Sequence, residues 1–390
     1  MKRLLFLAPA PPCPGMGGGA LRMFHMARFL GRRFPVDLLA PALDGAELAR
    51  RFLNPWCEEM AFVPPTARGA ARRRMRLGPY ERDPALQEAV RRRLETEGYA
   101  AVHVEKPAML PYLPAHLRVP IVLDTFAYGL TGIRRALRCE TGWTVRAHNL
   151  IRLMRFAAFD RFGWPPTHCI LVVSEPDRQR CLAERPDRRV LLVPNGVDCA
   201  AYRPGPVCDE TAPLLMFTGD MAFGPNVQAA HLLATRVFPP IRGEFPDAEL
   251  RIVGRNPARA VRALHGSGVV VTGEVPDVVP HLQAATVYVA PLTTGAGTRT
   301  KLLEALAVGL PVVTTRVGLE GIEAADGREV VLADEPPAAV RAVRRLLTDS
   351  AARRRLGGAA RRLAEEKYDW SRCLAPLEEL YAGLLPPRSP

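Results

Sequence analysis

Short runs of apolar residues recur along the chain and alternate with segments in which apolar residues have helical spacing. Strands buried on both faces of a parallel sheet read as near-continuous apolar runs, so this alternation predicts parallel strands joined by helices. In the first half, the predicted strands cover residues 3–8, 36–40, 101–104, 121–124, 169–173 and 190–193. In the second half, they cover residues 214–218, 250–253, 269–272, 287–291, 312–315 and 330–332.

The two series of strands are separated by a proline-containing segment with little periodicity, residues 199–213. At 390 residues the chain is long enough for two α/β domains. We therefore predict an N-terminal domain over residues 1–198, a linker over residues 199–213 and a C-terminal domain over residues 214–368. Residues 369–390 are predicted to form a last helix and a tail.

The stretch VYVAPLTTGAGTRTKLLEALAVGLPVVTT, residues 287–315, reads as strand, loop, helix and strand. Gly295 and Gly297 let the backbone turn and let a ligand approach it closely. Thr298 is a candidate N-cap for a helix that we predict over residues 299–308. The pattern is that of one βαβ unit with a glycine-rich turn.

Two cationic residues, Arg299 and Lys301, fall in the first turn of this predicted helix. The free N–H groups already make that end positive, so each cation costs about 0.3–1 kcal/mol there unless an anion is bound. Lysine is also rare in the chain, the other three being Lys2, Lys106 and Lys367. This placement predicts a phosphate or diphosphate site.

Glu304 follows one turn later, among leucines and alanines. A carboxylate in such apolar surroundings needs a partner, and sugar hydroxyls or a cation would supply one. A ribose is therefore a candidate ligand for Glu304. The alternative is a surface ion pair between Lys301 and Glu304 at i,i+3 spacing.

Glycines directly follow three predicted strands of the second half, at Gly219, Gly254 and Gly273. The carboxyl ends of parallel strands share one edge of a sheet. These glycines therefore leave that edge free of side chains, so that a ligand can bind there. Arg255 comes next and is either a phosphate contact or a solvated loop residue. The backbone and the apolar side chain of Val275 are predicted to contact a nucleotide base.

The first predicted strand is followed by a loop that ends in Gly17, Gly18 and Gly19, and then by a helix over residues 20–31. We predict that these glycines give a second substrate access to the backbone. The alternative is dinucleotide binding, with Asp37 on the ribose. The chain has no complete G-x-G-x-x-G there and matches only the looser form that ends in alanine.

The net charge of +13 would suit a nucleic acid or an anionic membrane, but arginine outnumbers lysine as a G+C-rich coding bias would produce. We therefore predict no nucleic-acid partner. An arginine-rich run over residues 67–94 is either a solvated helix face or a surface for anionic lipid or a lipid-linked phosphate. Further arginines could extend that surface: Arg134, Arg135, Arg138, Arg146, Arg152 and Arg155.

The eight cysteines include no C-x-x-C pair and no spacing typical of a metal site, which fits a reducing compartment. No apolar run approaches the roughly 20 residues of a membrane-spanning helix. We predict a cytoplasmic protein, and the arginines leave open a peripheral position at the inner face of the membrane.

Five motifs together resemble the retaining glycosyltransferases of family 4, which have the GT-B fold. They are VPNGVD at 193–198, FTGDMAFGPNV at 217–227, RIVGRNP at 251–257, VTGEVPDV at 271–278 and APLTTGAGTRTKLLEALAVGLPVVTT at 290–315. The resemblance implies an α/β protein with two Rossmann-like parallel-sheet domains facing a cleft. It also implies an acceptor on the N-terminal side and a nucleotide sugar held mainly by the C-terminal domain.

Carried over by motif, Arg299 and Lys301 would bind the diphosphate, and Glu304 would hold the ribose hydroxyls. The backbone amides around Ala296, Gly297 and Thr298 would face the sugar and the phosphates. Stabilising the departing diphosphate is then the chief electrostatic task, and these groups would do it without a metal or other cofactor. The chain contains no Asp-x-Asp, the motif expected of the metal-dependent alternative fold.

The chain departs from the family pattern at two places. The family motif has two glutamates separated by seven residues; the second is Glu304, and Ala296 stands at the first position. Related sequences also often carry a histidine shortly after the strand at 121–124, where this chain has T-F-A at 125–127. His103, which with Glu105 is predicted to lie at the end of a neighbouring strand, is the substitute catalytic candidate.

The sequence therefore predicts a glycosyltransferase that moves a sugar from a nucleoside diphosphate sugar to a glycan, lipid-linked or small-molecule acceptor. The resemblance implies retention of configuration. Two alternatives stay open: a nucleotide-sugar epimerase on the same fold, and a catalytically silent nucleotide-sugar-binding protein, the latter motivated by Ala296 and Phe126.

Overall fold

The computed structural model describes residues 2–67, 82–126, 128–130, 134, 137, 143–205, 212–295 and 297–386. The chain forms two compact units, Met1–Pro194 together with Leu374–Pro390, and Asn195–Cys373. The first unit ends four residues before the predicted boundary at 198, and the predicted linker belongs to the second unit. The chain returns to the first unit at Leu374, five residues after the predicted position 369.

The first unit contains a parallel sheet in which the described strands have the order β3-β2-β1-β4-β5-β6-β7. The strands are β1 (Arg3–Leu7), β2 (Val36–Pro41), β3 (Glu59–Val63), β4 (Tyr99–Glu105), β5 (Ile121–Asp124), β6 (Cys169–Val172) and β7 (Val190–Leu192). Among these strands, only β3 was not predicted from the sequence. As an edge strand it begins with an exposed glutamate and is partly exposed elsewhere, so it lacks the fully apolar pattern of a central strand.

The helices of the first unit cover the sheet and bury its apolar side chains. They are Gly18–Gly31, Ala46–Leu53, Pro84–Thr96, Trp143–Phe162 and Glu175–Glu184, with a 3₁₀ turn at Pro107–Tyr112. The helix Trp370–Ala382 contributes to this unit from Leu374 onward. Leu5, Val102 and Phe159 are examples of its fully or almost fully buried core.

The second unit contains a parallel sheet in which the described strands have the order β10-β9-β8-β11-β12-β13. The strands are β8 (Leu214–Thr218), β9 (Glu249–Val253), β10 (Val269–Gly273), β11 (Val287–Ala290), β12 (Val312–Thr314) and β13 (Val331–Leu332). The helices are Gly224–Leu232, Phe238–Glu244, Arg259–Arg262, Val279–Gln283, Thr300–Ala307, Arg316–Leu319, Pro336–Thr348 and Ser350–Leu363, with π turns at Leu233–Val237 and Ala364–Tyr368.

Both units are therefore Rossmann-like, as predicted. In each sheet the strand order reverses beside the first strand, between β1 and β4 and between β8 and β11. Ligands of open α/β sheets bind outside the carboxyl ends of the strands at such a switch point. Within the described residues, no helix is long and apolar enough to cross a bilayer.

Candidate active site

The carboxyl ends of β8, β9 and β10 carry the three glycines singled out above, and we call this row the glycine edge. Gly219 and Gly254 have φ angles of 152° and 153°, and Gly273 has 74°, all in the region that side chains disfavour. A Cβ atom on Gly254 would lie 1.6 Å from the carbonyl oxygen of Gly219. The two backbones thus touch, and side chains are excluded from this part of the edge.

Lys301 lies next to the glycine edge, on the helix Thr300–Ala307. Its ammonium donates to the Asn226 side-chain oxygen over 2.5 Å and lies 4.7 Å from the centre of the Phe217 ring. A Cβ atom on Gly219 would come within 2.5 Å of this nitrogen, so the glycine makes room for the lysine. The surface ion pair considered as the alternative is not formed, because the described partner of Lys301 is a neutral amide rather than Glu304.

The start of the Lys301 helix differs from the prediction. The helix begins at Thr300, and Arg299 occupies the N-cap position without a side-chain cap. Thr298 therefore does not cap it, and the Thr298 hydroxyl is buried with no hydrogen-bond partner among the described residues. The helix start has no side-chain cap, which leaves its first N–H groups available to an anion.

Arg299 lies back against the glycine loop that precedes the helix. Its guanidinium donates to the carbonyl oxygen of Gly297. A Cβ atom on Gly295, whose φ is 109°, would lie 3.0 Å from an Arg299 nitrogen. The two glycines thus permit this close packing. Ala296, between them, lies outside the described residues.

Glu304 lies one turn after Lys301 on the same helix and is partly buried. Burial raises the pKa of its carboxyl to about 7, against the opposing effects of the Lys301 ammonium and of a hydrogen bond with Tyr202. Burial likewise lowers the pKa of Lys301 to about 7; Glu304 and Asp220 oppose that shift and Arg299 adds to it. Both groups therefore titrate near neutral pH, as groups at functional sites often do.

Tyr202 belongs to the segment that follows the NGVD turn, and Arg361 holds that segment in place. The Arg361 guanidinium donates to the carbonyl oxygens of Cys199 over 3.0 Å, of Tyr202 over 2.6 Å and of Ala307 over 2.5 Å. Ala307 is the last residue of the Lys301 helix. A residue 54 positions further along the chain thus connects Tyr202 to the helix that carries Glu304.

The two remaining predicted donor residues lie at the ends of β9 and β10. Arg255 forms an ion pair with Asp220 over 3.1 Å and is about one-fifth exposed, so it is not a freely solvated loop residue. Val275 is partly exposed just after β10. Neither placement tests the predicted contacts with a phosphate and a base.

The carboxyl edge of the first sheet is built from charged residues, and we call it the charged edge. Arg22, which is fully buried, donates from Nε to Asp124 over 2.6 Å and from a terminal nitrogen to the same carboxylate over 3.2 Å. It also donates to the carbonyl oxygen of Pro194 over 3.1 Å. Arg22 could not be singled out from the sequence, because its partners lie 102 and 172 residues away.

β4 ends at Glu105, as predicted, and His103 lies two residues before that end. Its side chain is fully buried, with Nδ1 2.6 Å from the Tyr381 hydroxyl and Nε2 3.0 Å from Glu105. The ring stacks on Phe6 at 4.6 Å between centroids. With both nitrogens engaged and no exposed surface, His103 has no access to a substrate in this structure.

The three glycines predicted to form the end of a loop start a helix instead. The helix Gly18–Gly31 begins two residues earlier than expected, with Gly17 at the N-cap and a φ of 95°. A Cβ atom on Gly19 would lie 2.9 Å from the Phe126 ring, so the helix start packs against the residue after β5. The site predicted for a second substrate is thus the N-terminal turn of a helix.

Asp37, the acid of the dinucleotide alternative, lies in the first half of β2 and is fully buried. It accepts hydrogen bonds from Arg3 over 3.2 Å and from Tyr99 over 3.0 Å, so that assignment is wrong. Together with Glu59 and Glu97 it forms a group of carboxylates within 4.8 Å of one another. Arg3 and Arg93 lie in ion pairs with this group.

Two Rossmann-like parallel sheets, the second with a glycine edge beside a lysine and a glutamate on one helix, define the GT-B class of glycosyltransferases. A family model described as Glycosyltransferase Family 4 matches residues 16–201, and one described as Glycosyl transferases group 1 matches residues 212–349. The chain belongs to glycosyltransferase family 4, as the motifs predicted.

Known proteins similar to this chain support the same assignment. A phosphatidyl-myo-inositol mannosyltransferase from Mycolicibacterium smegmatis is 30% identical over 201 residues, which are 48% of this chain and 50% of that protein. The match thus spans about half the length of this curated relative. Sucrose-phosphate synthase from Thermosynechococcus elongatus has a similar structure, with a TM-score of 0.73, 16% identity and coverage of 98% of this chain and 99% of the other.

A second similar structure is that of Anabaena Alr3699/HepE, solved in complex with UDP and glucose. Its TM-score is 0.66 at 14% identity, with coverage of 98% of this chain and 100% of the other. At such identities the two structural similarities concern the fold. They confirm the predicted GT-B architecture independently of the motifs.

Proposed function

We propose that the protein transfers a sugar from a nucleoside diphosphate sugar to a glycan, lipid-linked or small-molecule acceptor, with retention of configuration and without a metal cofactor. The observation that carries the proposal is the placement of Lys301. Its ammonium lies at an uncapped helix start beside the glycine edge, and its described partner is the neutral amide of Asn226. A bound diphosphate would supply the negatively charged partner that the ammonium does not have.

Catalysis follows from the same charges. Breaking the bond between the anomeric carbon and the phosphate leaves negative charge on the departing diphosphate, and fixed cations stabilise that charge as it develops. Lys301 and Arg299 stand at the start of one helix, whose N–H groups add to their effect. These groups, with the absence of Asp-x-Asp from the sequence, support transfer without a metal.

Glu304 is proposed to hold the ribose of the donor. Burial disfavours its charged form, and two ribose hydroxyls that donate to the carboxylate would restore it. The Tyr202 hydrogen bond orients the same carboxyl and favours its ionised form. Tyr202 is thus a positioning residue for the ribose contact.

We propose that the acceptor binds to the first unit. Two observations support a lipid-linked acceptor: the name of one relative and the exposed face of one helix. One relative is named a phosphatidyl-myo-inositol mannosyltransferase. The helix Trp143–Phe162 also exposes apolar side chains, with Trp143 79% and Met154 56% exposed, near the exposed Arg146. Such a face suits an anionic membrane surface, and this contact stays a prediction. The arginines 72–74 and 76 of the predicted surface lie outside the described residues.

The test is calorimetry and product analysis with UDP-, GDP- and ADP-sugars. For the nucleotide that binds, Lys301→Ala is expected to weaken binding at least tenfold, about 1.4 kcal/mol, because the diphosphate loses its buried cation. Lys367→Ala is the matched control, since Lys367 belongs to the same unit but is exposed and paired with Glu323 over 2.7 Å. Equal affinities of the Lys301→Ala variant and the unmodified protein would contradict the diphosphate assignment.

Product analysis separates the three functions that the sequence leaves open. Free nucleotide together with a glycosylated acceptor supports transfer. An isomerised donor supports an epimerase, and binding without turnover of any acceptor supports a silent binding protein.

A further inference from the structure

The ammonium of Lys301 is held by two side chains that carry no charge. It donates to the Asn226 side-chain oxygen over 2.5 Å and lies 4.7 Å from the centre of the Phe217 ring. Asn226 is 6% exposed and Phe217 is fully buried, so both are fixed by their surroundings. The face of an aromatic ring attracts a cation through its quadrupole and adds no net charge. The ammonium is thus held in place, and neither side chain neutralises its charge.

The carboxylates near Lys301 are engaged elsewhere. Asp220 forms an ion pair with Arg255, and Glu304 accepts a hydrogen bond from Tyr202. Both carboxylates act to raise the pKa of Lys301, but burial outweighs them and lowers it to about 7. In the described part of the chain, no carboxylate forms an ion pair with this ammonium.

The side-chain amide of Asn226 bonds to an acceptor at one end and to a donor at the other. Its nitrogen donates to the carbonyl oxygen of Asp220 over 2.9 Å, and its oxygen accepts from Lys301. An ammonium only donates and a carbonyl oxygen only accepts, so these two partners fix which way the amide faces. A carboxylate here would have no donor for the Asp220 carbonyl and would place a negative charge against the ammonium. The hydrogen bonding at this point therefore suits a neutral amide.

Gly219 leaves the space in which the two side chains meet. A Cβ atom on this glycine would lie 2.7 Å from the Asn226 side-chain nitrogen and 2.5 Å from the Lys301 ammonium. Asn226 reaches this point from the helix Gly224–Leu232, and Lys301 reaches it from the helix Thr300–Ala307. The contact thus joins two helices at the glycine edge, beside the end of β8.

We propose that Asn226 is a positioning residue for the diphosphate of the donor, because it holds the Lys301 ammonium at the glycine edge without neutralising it. The inference rests on the proposed function, since it names the residue that keeps the cation of that site available to a phosphate. An ammonium has three N–H donors, and the contact with Asn226 uses one of them. The other two, together with the charge, are then available to phosphate oxygens.

The competing explanation is that Asn226 only supports the fold, through its bond to the Asp220 carbonyl. Titration of Lys301 tests this without a ligand. The chain has only four lysines, so NMR of selectively isotope-labelled lysine gives a simple spectrum, in which Lys301→Arg identifies the signal. Asn226→Asp is expected to raise the pKa of Lys301 by about 1 or more, since an adjacent carboxylate favours the ammonium. Asn226→Ala is expected to lower it, since an acceptor is lost.

A role confined to the Asp220 carbonyl predicts instead that the pKa of Lys301 does not change in either variant. The melting temperature of each variant identifies one that does not fold, and the titration then uses the other.

Calorimetry with UDP-glucose, GDP-glucose or ADP-glucose, whichever binds most tightly, measures the consequence for the donor. At pH 7, Asn226→Asp is expected to weaken binding at least about tenfold, because its carboxylate pairs with the ammonium and repels the diphosphate. Gln228→Glu is the matched control and should stay within about threefold of the unmodified protein. It makes the same isosteric change on the same helix, at an exposed side chain whose hydrogen bond from Thr294 a carboxylate also accepts.

Asn226→Ala shows whether the residue acts through Lys301. It is expected to weaken binding at least about threefold when Lys301 is present, and to have no further effect once Lys301→Ala is in place. A loss that persists without Lys301 would mean that Asn226 contacts the nucleotide sugar itself, which overturns the proposal. Equal binding by Asn226→Asp and Gln228→Glu would overturn it as well.

The same measurements separate this inference from the proposed function. If Lys301→Ala alone leaves the affinity unchanged, the diphosphate site and this inference are both wrong. If Lys301→Ala loses affinity and both Asn226 variants retain it, only this inference is wrong.

Discussion

The glycine edge and the charged edge occupy the same place in two sheets of related topology, yet they are built in opposite ways. At the glycine edge, side chains are removed, and Gly254 lies against the backbone of Gly219. At the charged edge, Arg22, Glu105 and Asp124 are fully buried; Arg22 is hydrogen-bonded to Asp124, and Glu105 to His103. One edge is kept bare around a lysine, and the other is filled by a polar network.

The difference indicates what each edge accommodates. A bare edge lets a ligand contact backbone N–H groups directly, which suits a nucleotide whose diphosphate is recognised by charge and backbone. A filled edge presents few groups to a ligand but fixes them rigidly; the Lys106 ammonium, for example, lies 4.6 Å from the centre of the Phe126 ring. It therefore suits a substrate recognised at one or two points. Three experiments test this comparison, from the largest expected effect to the smallest.

Removing a charge from the charged edge is expected to have the largest effect. Asp124→Asn leaves the Arg22 guanidinium buried without its counter-ion, and should lower the free energy of unfolding by about 3–5 kcal/mol. Denaturant unfolding followed by circular dichroism measures it. The control is Arg33→Ala, which breaks an exposed pair with Glu378 and should cost at most about 1 kcal/mol.

Replacing both partners, by Arg22→Met with Asp124→Leu, should recover most of the loss. Equal losses in the single and double variants would show that the buried pair itself is not responsible.

Adding a methyl group to the glycine edge should have the next largest effect. Gly254→Ala places a Cβ atom against the Gly219 carbonyl at an unfavourable φ, and should cost about 3 kcal/mol of unfolding free energy. Gly224→Ala, also in the second unit, is the control, since no atom lies within 4 Å of its added carbon. A Gly254→Ala variant as stable as Gly224→Ala would contradict the close packing of the edge.

The smallest effect concerns protons at the glycine edge. Lys301 and Glu304 both have a pKa of about 7, so binding of a nucleotide sugar should change their protonation in opposite directions. At pH 8 Lys301 is mostly neutral, and a bound diphosphate should draw up to about one proton onto it. At pH 6 Glu304 is mostly protonated, and ribose hydroxyls should release its proton. Calorimetry in buffers of different ionisation enthalpy measures both.

Substitutions test whether Lys301 takes up the proton and whether Glu304 releases it. Lys301→Arg, whose charge does not titrate in this range, should abolish the uptake at pH 8, and Glu304→Gln should abolish the release at pH 6. A nucleotide sugar is used because its diphosphate has no terminal phosphate that titrates here. Uptake that persists in Lys301→Arg would mean that another group takes the proton.

The strands and the central residues of the glycine edge could be predicted from the sequence, but their distant partners could not. The strands of both sheets were predicted from their apolar runs, except for the partly exposed edge strand β3. Lys301 and Glu304 were found because one short segment carries them, and a helix start makes a lysine there unfavourable by itself. Their partners Asn226 and Tyr202 were missed, as each comes from a different strand end or turn.

The charged edge could not be predicted for a related reason. Arg22 and Asp124 are 102 residues apart, and each alone reads as an ordinary polar residue. His103 lies near the strand end as predicted, but its contact with Tyr381, 278 residues further along the chain, could not be predicted from the apolar pattern. The positive φ of Lys106 occurs directly after β4, where its N–H bonds to the neighbouring strand, and no local pattern reveals it.

Arg361 has a consequence for how the helix that carries Lys301 and Glu304 opens. Its guanidinium contacts the final carbonyl of the Lys301 helix and two carbonyls of the segment that carries Tyr202. Fraying of that helix end therefore withdraws support from a loop more than a hundred residues earlier in the chain. We therefore expect the amide protons of the two segments to exchange in one cooperative opening, in which the hydrogen bond between Tyr202 and Glu304 is lost as well.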